Sequence, residues 1–324
     1  MATTASFRDL CGTVGARIGI IRRKYRVAPG LYAVGTPGPE SPVLVTANYK
    51  LSFDALRLQL SGVDAWLLVL DTRGINVWCA AGKGTLSTEE VIRSVEHSQL
   101  ALVVSHRELV LPQLAATGVT AQEVKQRCGF KIFFGPIRAT DLPTYLQQGK
   151  QCDETMREVT FTLPERAVLI PVELFLLAKP LLITLALVFV LSGIGPSLFS
   201  LNAALNRGLP LLTATLLGIF GGAVLMPLLL PWLPCRQFWI KGVLAGLAAA
   251  FISWLLPAAG HSLPEQLALF LWMMTLSSYL AMNFTGSTPY TSPSGVEYEM
   301  RRGIPVQIAA TCLTIVLWVG SPFF

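Results

Sequence analysis

The stretch Ala65-Trp66-Leu67-Leu68-Val69-Leu70-Asp71, followed by Gly74-Ile75-Asn76-Val77-Trp78-Cys79-Ala80-Ala81-Gly82-Lys83-Gly84-Thr85, reads as a buried strand that delivers a very short helix. Six apolar residues end in Asp71, which marks the strand's close. Asn76 is a good N-cap, because its side-chain oxygen accepts from the free backbone N–H groups of a first turn. Val77, Trp78 and Cys79 then fill the first helical positions, and Gly82 is expected to supply a left-handed stop. A helix N-terminus favours negative charge, which suits a thiolate at Cys79. No second cysteine or histidine stands at metal-ligand spacing, so the pattern points to a nucleophile or a single axial ligand rather than a zinc cage. The competing reading of Cys79 is a small buried hydrophobe.

Working outward, short apolar runs alternate with helical segments. Pro42–Thr46 and Ala65–Leu70 read as strands one and two, Leu100–Val104 as strand three and Phe130–Phe134 as strand four. Helices are expected over Phe53–Leu60, Thr88–His97 (capped by Ser87), Thr120–Cys128 (with a Thr120/Glu123 capping box) and Asp141–Gln148. Such alternation predicts a mostly parallel sheet in a Rossmann-like α/β domain. Ligands of these sheets bind beyond the carboxyl ends of the strands. Thr46, Asp71-Thr72, Ser105-His106 and Gly135-Pro136 are all expected there. Upstream, residues 1–40 read as a leader with a basic helix over Ala16–Tyr25. Gly82-Lys83-Gly84-Thr85 lacks the spacing of a phosphate loop, which excludes nucleotide hydrolysis.

Composition divides the chain. Of 324 residues, 52% are hydrophobic and only 14% charged, too apolar for an ordinary soluble protein. Charge nearly vanishes after Arg166: between Leu174 and Cys235 only Lys179 and Arg207 carry it. Residues 41–166 therefore read as the α/β domain and 167–324 as an all-α transmembrane domain. Five spans are predicted, at about 171–194, 209–232, 238–257, 264–283 and 303–321, each near the ~20 residues that cross a hydrocarbon core. Gly218, Gly221, Gly222, Gly242 and Gly246 give small-residue spacings for close helix packing. Arg236, Lys241, Arg301 and Arg302 fall in loops on the side of the α/β domain, and Arg207 in an opposite loop. This places the α/β domain in the cytoplasm by the positive-inside rule. The net charge of +6 comes from scattered residues apart from Arg22-Arg23-Lys24-Tyr25-Arg26, so nucleic acid is not an expected partner. The six cysteines, at 11, 79, 128, 152, 235 and 312, include no Cys-x-x-Cys pair, which leaves no iron–sulfur framework. No row of acidic residues crosses the spans, which argues against an ion transporter.

The string Asn76-Val77-Trp78-Cys79-Ala80-Ala81-Gly82-Lys83 resembles the cap-helix motif of the membrane corrinoid proteins that methylate mercury, the HgcA family. The resemblance continues through Val45–Asp54, Val104-Ser105-His106-Arg107, Phe134-Gly135-Pro136 and Asn283-Phe284-Thr285-Gly286-Ser287-Thr288. More distantly, the first half resembles the corrinoid domain of the corrinoid iron–sulfur protein of the acetyl-CoA pathway. The resemblance implies a corrinoid (cobalamin-type) cofactor with the Cys79 thiolate as lower axial cobalt ligand. Thr46, Asn76, Val77, Trp78, Ala80, Gly82, His106, Gly135 and Pro136 are the expected cofactor contacts. It further implies methyl transfer from cobalt to Hg(II), a ferredoxin partner with two [4Fe–4S] clusters (HgcB), and a methyltetrahydrofolate-linked methyl donor. A membrane-anchored methyl carrier for one-carbon metabolism with another acceptor is the alternative.

Overall fold

The computed structural model describes residues 1–254 and 262–323. Its chain divides into two compact units, Met1–Thr160 and Phe161–Phe324.

The first unit is a five-stranded sheet, β1 (Gly30–Val34), β2 (Val43–Ala47), β3 (Ala65–Leu70), β4 (Glu108–Leu111) and β5 (Lys131–Phe134), in the order β1-β3-β2-β4-β5. β3, β2, β4 and β5 run parallel, and β1 closes one edge antiparallel to β3. The helices are α1 (Phe7–Ile18), α2 (Lys50–Arg57), α3 (Val77–Gly82), α4 (Thr88–His97), α5 (Leu100–Val103), α6 (Ala121–Cys128) and α7 (Leu142–Gln147). Alternation along β3 shows why its sequence is apolar throughout. Leu68 and Leu70 face one core with Val91, Ile92 and Val95 of α4, while Leu67 and Val69 face another with Phe53 of α2 and Tyr145 of α7. A strand covered on both faces has no solvent side to mark with polar residues.

The expected mixed α/β architecture is present, with several corrections. Leu100–Val103 is helical rather than a strand, and the strand lies later, at β4. Ser105 and His106 therefore precede their strand instead of following it. The N-terminal helix is Phe7–Ile18, ended by Gly19 at φ 108°, not Ala16–Tyr25. β1 was not foreseen. The first crossover helix starts at Lys50 instead of Phe53. Thr120 does cap α6, but without a side-chain hydrogen bond, so the capping box is not formed. Instead Glu123 pairs with Arg127 at 3.0 Å, and the Thr120 N–H donates to Thr88 Oγ1 at 2.9 Å.

Residues before β2 are built into this unit. Lys50 and Arg57 of α2 both bind Asp9 of α1, at 2.8 and 2.9 Å, and both also bind Asp54. The Lys50 ammonium, then the Ser6 backbone and hydroxyl, hold the Asp9 carboxyl well below the usual carboxylate range. Val27 N–H donates to the Asn48 carbonyl, and Lys50 N–H to that of Tyr25, both at 3.0 Å. These bonds draw the N-terminal chain across the end of β2.

The second unit is helical: α8 (Leu163–Ala167), α9 (Ile170–Leu176), α10 (Ala178–Gly193), α11 (Leu201–Ile219), a π-helical turn at Phe220–Leu225, α12 (Met226–Leu229), α13 (Phe238–Trp254), α14 (Leu263–Asn283) and α15 (Pro293–Gly320). Among the described residues four helices are long and apolar enough to cross a membrane: Leu163–Gly193, Leu201–Leu229, Leu263–Ser287 and Ser294–Phe323. A shorter apolar helix covers Phe238–Ile252. It answers to the expected third span, whose residues 255–257 lie outside the described residues. The segment 283–302, read as a loop, is largely helical, because α15 begins at Pro293. Arg207, assigned to a loop, is inside α11. The glycines do bring helices together. A Cβ on Gly222 would lie 2.4 Å from the Ser277 carbonyl oxygen, and one on Gly242 2.5 Å from the Ala281 Cβ.

Candidate functional site

The parallel strands leave β2 in opposite directions, to β3 on one side and β4 on the other. The carboxyl ends of β2 and β4 thus flank the crevice where open α/β sheets bind ligands. A cavity of about 310 Å³ occupies this place. Thr46 lines it from β2, Leu111 and Pro112 from the end of β4, and Gly135 and Pro136 from the end of β5. Asn76, Val77 and Trp78 line it from α3, and most of the remaining wall is aliphatic. Gly135 is closely packed: a Cβ there would come 3.1 Å from Val110 Cγ1. Its N–H donates to the Leu111 carbonyl at 2.8 Å, which continues the ladder past the last strand residue.

α3 has the form expected from sequence. Asn76 is extended at φ −64°, ψ 161°, and its side chain accepts from Cys79 N–H at 2.8 Å. Ala80 and Ala81 are buried beneath the helix, whereas Trp78 and Cys79 are exposed. One face of α3 is thereby fixed to the core and the other is open. Gly82 is not the left-handed stop. It is the last helical residue, and the positive φ, 72°, belongs to Gly84. Space beneath the end of α3 depends on Gly118, where a Cβ would lie 2.3 Å from the Leu86 carbonyl oxygen and 3.0 Å from Ala81 Cα.

Asn48, 2% exposed, sets the approach to α3. Its side-chain oxygen accepts from Thr72 N (3.2 Å), Thr72 Oγ1 (2.9 Å) and Gly74 N (2.8 Å), and its amide donates to Asp71 Oδ1 (3.1 Å). The single proton of the Thr72 hydroxyl lies between the Asn48 side-chain oxygen and the Ile75 carbonyl, which is 2.7 Å away. The chain between β3 and α3 turns through Arg73 and Gly74 at φ 58° and 76°. Asn48 was part of a quoted motif but was not singled out. Its signal, a polar residue directly after an apolar strand, became legible only once β2 and β3 were known to be neighbours.

Of the ten predicted site residues, Thr46, Asn76, Val77, Trp78, Gly135 and Pro136 line the cavity. Cys79 is exposed beside it in sequence, Ala80 is buried in the core and Gly82 is exposed. His106 lies at the other end of the sheet, ahead of β4, with Nε2 2.9 Å from the Ser41 carbonyl. Val110, Leu111, Pro112 and Leu114 are cavity residues that were missed, because strand three had been placed too early. No group of three or more His, Cys, Asp or Glu side chains forms a metal cage among the described residues. Cys79 alone on its helix can offer one soft donor.

Residues 21–146 match a family model described as CO dehydrogenase/acetyl-CoA synthase delta subunit (CdhD). The match falls within the α/β unit and includes α3 and every cavity residue. The chain is 34% identical over 129 residues to subunit gamma of the acetyl-CoA decarbonylase/synthase complex of Methanopyrus kandleri, covering 39% of this chain and 28% of that one. The gamma subunit of Archaeoglobus fulgidus is 33% identical over 129 residues, 39% of this chain and 27% of its own length. Gamma subunit 2 of Methanosarcina mazei is 34% identical over 122 residues, with 36% and 26% covered. The chain spans about a quarter of the length of these curated relatives.

Proposed function

We propose that the α/β unit holds a corrinoid at the carboxyl edge of its sheet, and that the protein transfers a methyl group from its cobalt to Hg(II), producing methylmercury. The observation that carries this reading is an apolar cavity at the switch point adjoining a solvent-open, Asn76-capped helix with one thiol, inside the segment that matches the CdhD model. The residues fit such a group. Aliphatic walls suit the apolar face of a macrocycle, and a single soft donor suits a metal that the cofactor itself already binds.

When bound, a corrinoid supplies a cobalt-linked methyl group for transfer. Cys79 is assigned as the residue that would hold the corrinoid's cobalt, where its thiolate would be a soft, electron-donating ligand suited to methyl transfer to a soft electrophile. Asn76 fixes the first turn of α3 and hence the height of the sulfur. Asn48 and Thr72 hold the preceding loop. Trp78 covers the rim. With no Cys-x-x-Cys pair in the chain, return to the reduced state is assigned to a separate two-[4Fe–4S] ferredoxin, HgcB. The methyl donor is assigned to a methyltetrahydrofolate-linked methyltransferase. The helical unit is assigned to the cytoplasmic membrane, with the α/β unit in the cytoplasm. The gamma-subunit relatives favour a second reading, a membrane-anchored methyl carrier with another acceptor.

The test is full-length detergent-purified protein loaded with methylcobalamin and given a Hg(II)–thiol complex. Methylmercury should form. Cys79→Ala should keep the corrinoid and drop transfer to background, and Cys79→His should keep it and transfer poorly, since imidazole donates less. Retained methylcorrinoid without methylmercury would leave only the carrier reading. Protein that retains no corrinoid would remove both.

A further inference from the structure

Helix α1 is amphipathic in the wrong sense for a soluble protein. Phe7, Leu10, Cys11, Val14 and Ile18 recur at the spacing of one helical face. That face points outward: Phe7 is 81%, Leu10 56% and Val14 57% exposed. The polar and small face points inward, with Asp9 bound by Lys50 and Arg57, and Ala16 fully buried. Gly12 is so close to Tyr25 that a Cβ there would lie 2.3 Å from the Tyr25 hydroxyl oxygen. The inner face is therefore locked by ion pairs and contact, and α1 cannot turn its apolar stripe inward without breaking them. Ile20, 64% exposed, extends the stripe past the helix end.

Charge frames this patch. Between Phe7 and Arg26 the chain carries Arg8, Arg17, Arg22, Arg23, Lys24 and Arg26, against one acidic residue, Asp9, which is turned inward. Arg8, Arg23, Lys24 and Arg26 are exposed. An exposed apolar stripe bordered by cations is the composition of a helix that lies in the plane of a bilayer interface. Cations near such a surface are drawn to anionic headgroups. The same chain carries helices long and apolar enough to cross a membrane, and the inference rests on the membrane reading of those helices.

We propose that α1 and the basic segment after it dock the α/β unit on the surface of an anionic phospholipid bilayer, with Phe7, Leu10 and Val14 inserted among the headgroups. The stripe belongs to no part of the cavity wall, so the proposal is independent of the reaction assigned to Cys79.

Full-length protein reconstituted in nanodiscs of phosphatidylcholine alone, or of phosphatidylcholine with phosphatidylglycerol, tests it by peptide-resolved hydrogen exchange. Amides of α1 should exchange about tenfold or more slowly in the anionic discs, while those of α4 stay unchanged. High salt should abolish the difference. So should Arg22→Gln/Arg23→Gln/Lys24→Gln. The triple variant Phe7→Ser/Leu10→Ser/Val14→Ser, whose side chains point away from the unit, should fold normally and also lose the protection. Equal exchange in the two lipids would overturn the proposal, whether α1 is open in both or covered in both by a protein surface. Protection that rises with protein concentration in detergent would also overturn it and assign the stripe to a second copy of the chain.

Discussion

Two asparagines near α3 do different work: Asn48 follows the apolar run of β2, and Asn76 opens α3. Asn76 satisfies one N–H at an exposed helix start. Its replacement by Ala should cost about 1 kcal/mol, felt mostly as fraying of α3. Asn48 is buried and accepts from three donors at once. With Asn48→Ala, the Gly74 N–H loses its acceptor, whereas Thr72 keeps the Leu70 carbonyl for its N–H (3.1 Å) and the Ile75 carbonyl for its hydroxyl (2.7 Å) but is no longer tied to β2. That loss costs about 1–3 kcal/mol. Asn48→Ala should therefore speed exchange throughout residues 70–82 and into the ends of β2 and β3, whereas Asn76→Ala should speed it in α3 alone. Peptide-resolved hydrogen exchange distinguishes the two. Similar profiles for both variants would show that the buried network does not hold the loop.

At the scale of elements, the helix under Cys79 is placed by glycines whose roles are not interchangeable. A methyl at Gly82 meets open space, so Gly82→Ala should be neutral or stabilise by up to about 1 kcal/mol through helix propensity. Gly84→Ala forces a Cβ into the left-handed region, at a cost of about 1–2 kcal/mol. Gly118→Ala meets backbone, which cannot swing aside like a flexible side chain, and should cost about 1–3 kcal/mol. Thermal unfolding of the three variants should rank them in that order, and Gly82→Ala as the worst would overturn it. The sequence made the start of α3 legible because a cap and a short apolar face are local signals, while its end was misplaced from Gly84 to Gly82. The strand after α4 was not legible. Leu100–Val103 and Glu108–Leu111 are both short apolar runs, and periodicity cannot separate helix from strand at that length. That single ambiguity moved His106 to the wrong end of the sheet and hid Leu111 and Pro112. The outward face of α1 was hidden because the N-terminal helix was expected over Ala16–Tyr25 instead of Phe7–Ile18, and only tertiary contacts show which way its stripe points.

On the scale of the whole molecule, the two units are stabilised by different means. The α/β unit buries apolar side chains on both faces of a sheet. The helical unit, whose helices are long and apolar enough to cross a membrane, uses close packing and buried polar pairs, the means available to helices where lipid would offer no apolar contrast. Arg207 is its clearest joint. Nε pairs with Glu265 of α14 at 2.7 Å, and Nη1 donates to the Ser192 and Ile194 carbonyls at the end of α10, at 3.1 and 3.3 Å. Nη2 donates to the Trp318 carbonyl near the end of α15, and the guanidinium sits 4.8 Å from the Trp318 ring centroid. One side chain on α11 thus satisfies terminal carbonyls of two helices and binds a carboxylate on a third. Carbonyls at helix ends have no intrahelical donor, so loss of the fork strands them together. Arg207→Met should destabilise the helical unit, at about 1–3 kcal/mol for each carbonyl that it leaves without a donor. Arg207→Lys should recover only part, since an ammonium cannot reproduce the planar fork. Adding Glu265→Gln to Arg207→Met should restore only part of the loss, because the carbonyls at the ends of α10 and α15 still lack their donor. Thermal unfolding in one fixed detergent, read by loss of helical circular dichroism, measures all three. If Arg207→Met melts with the unaltered protein, the joint contributes nothing to holding α10, α14 and α15 to α11.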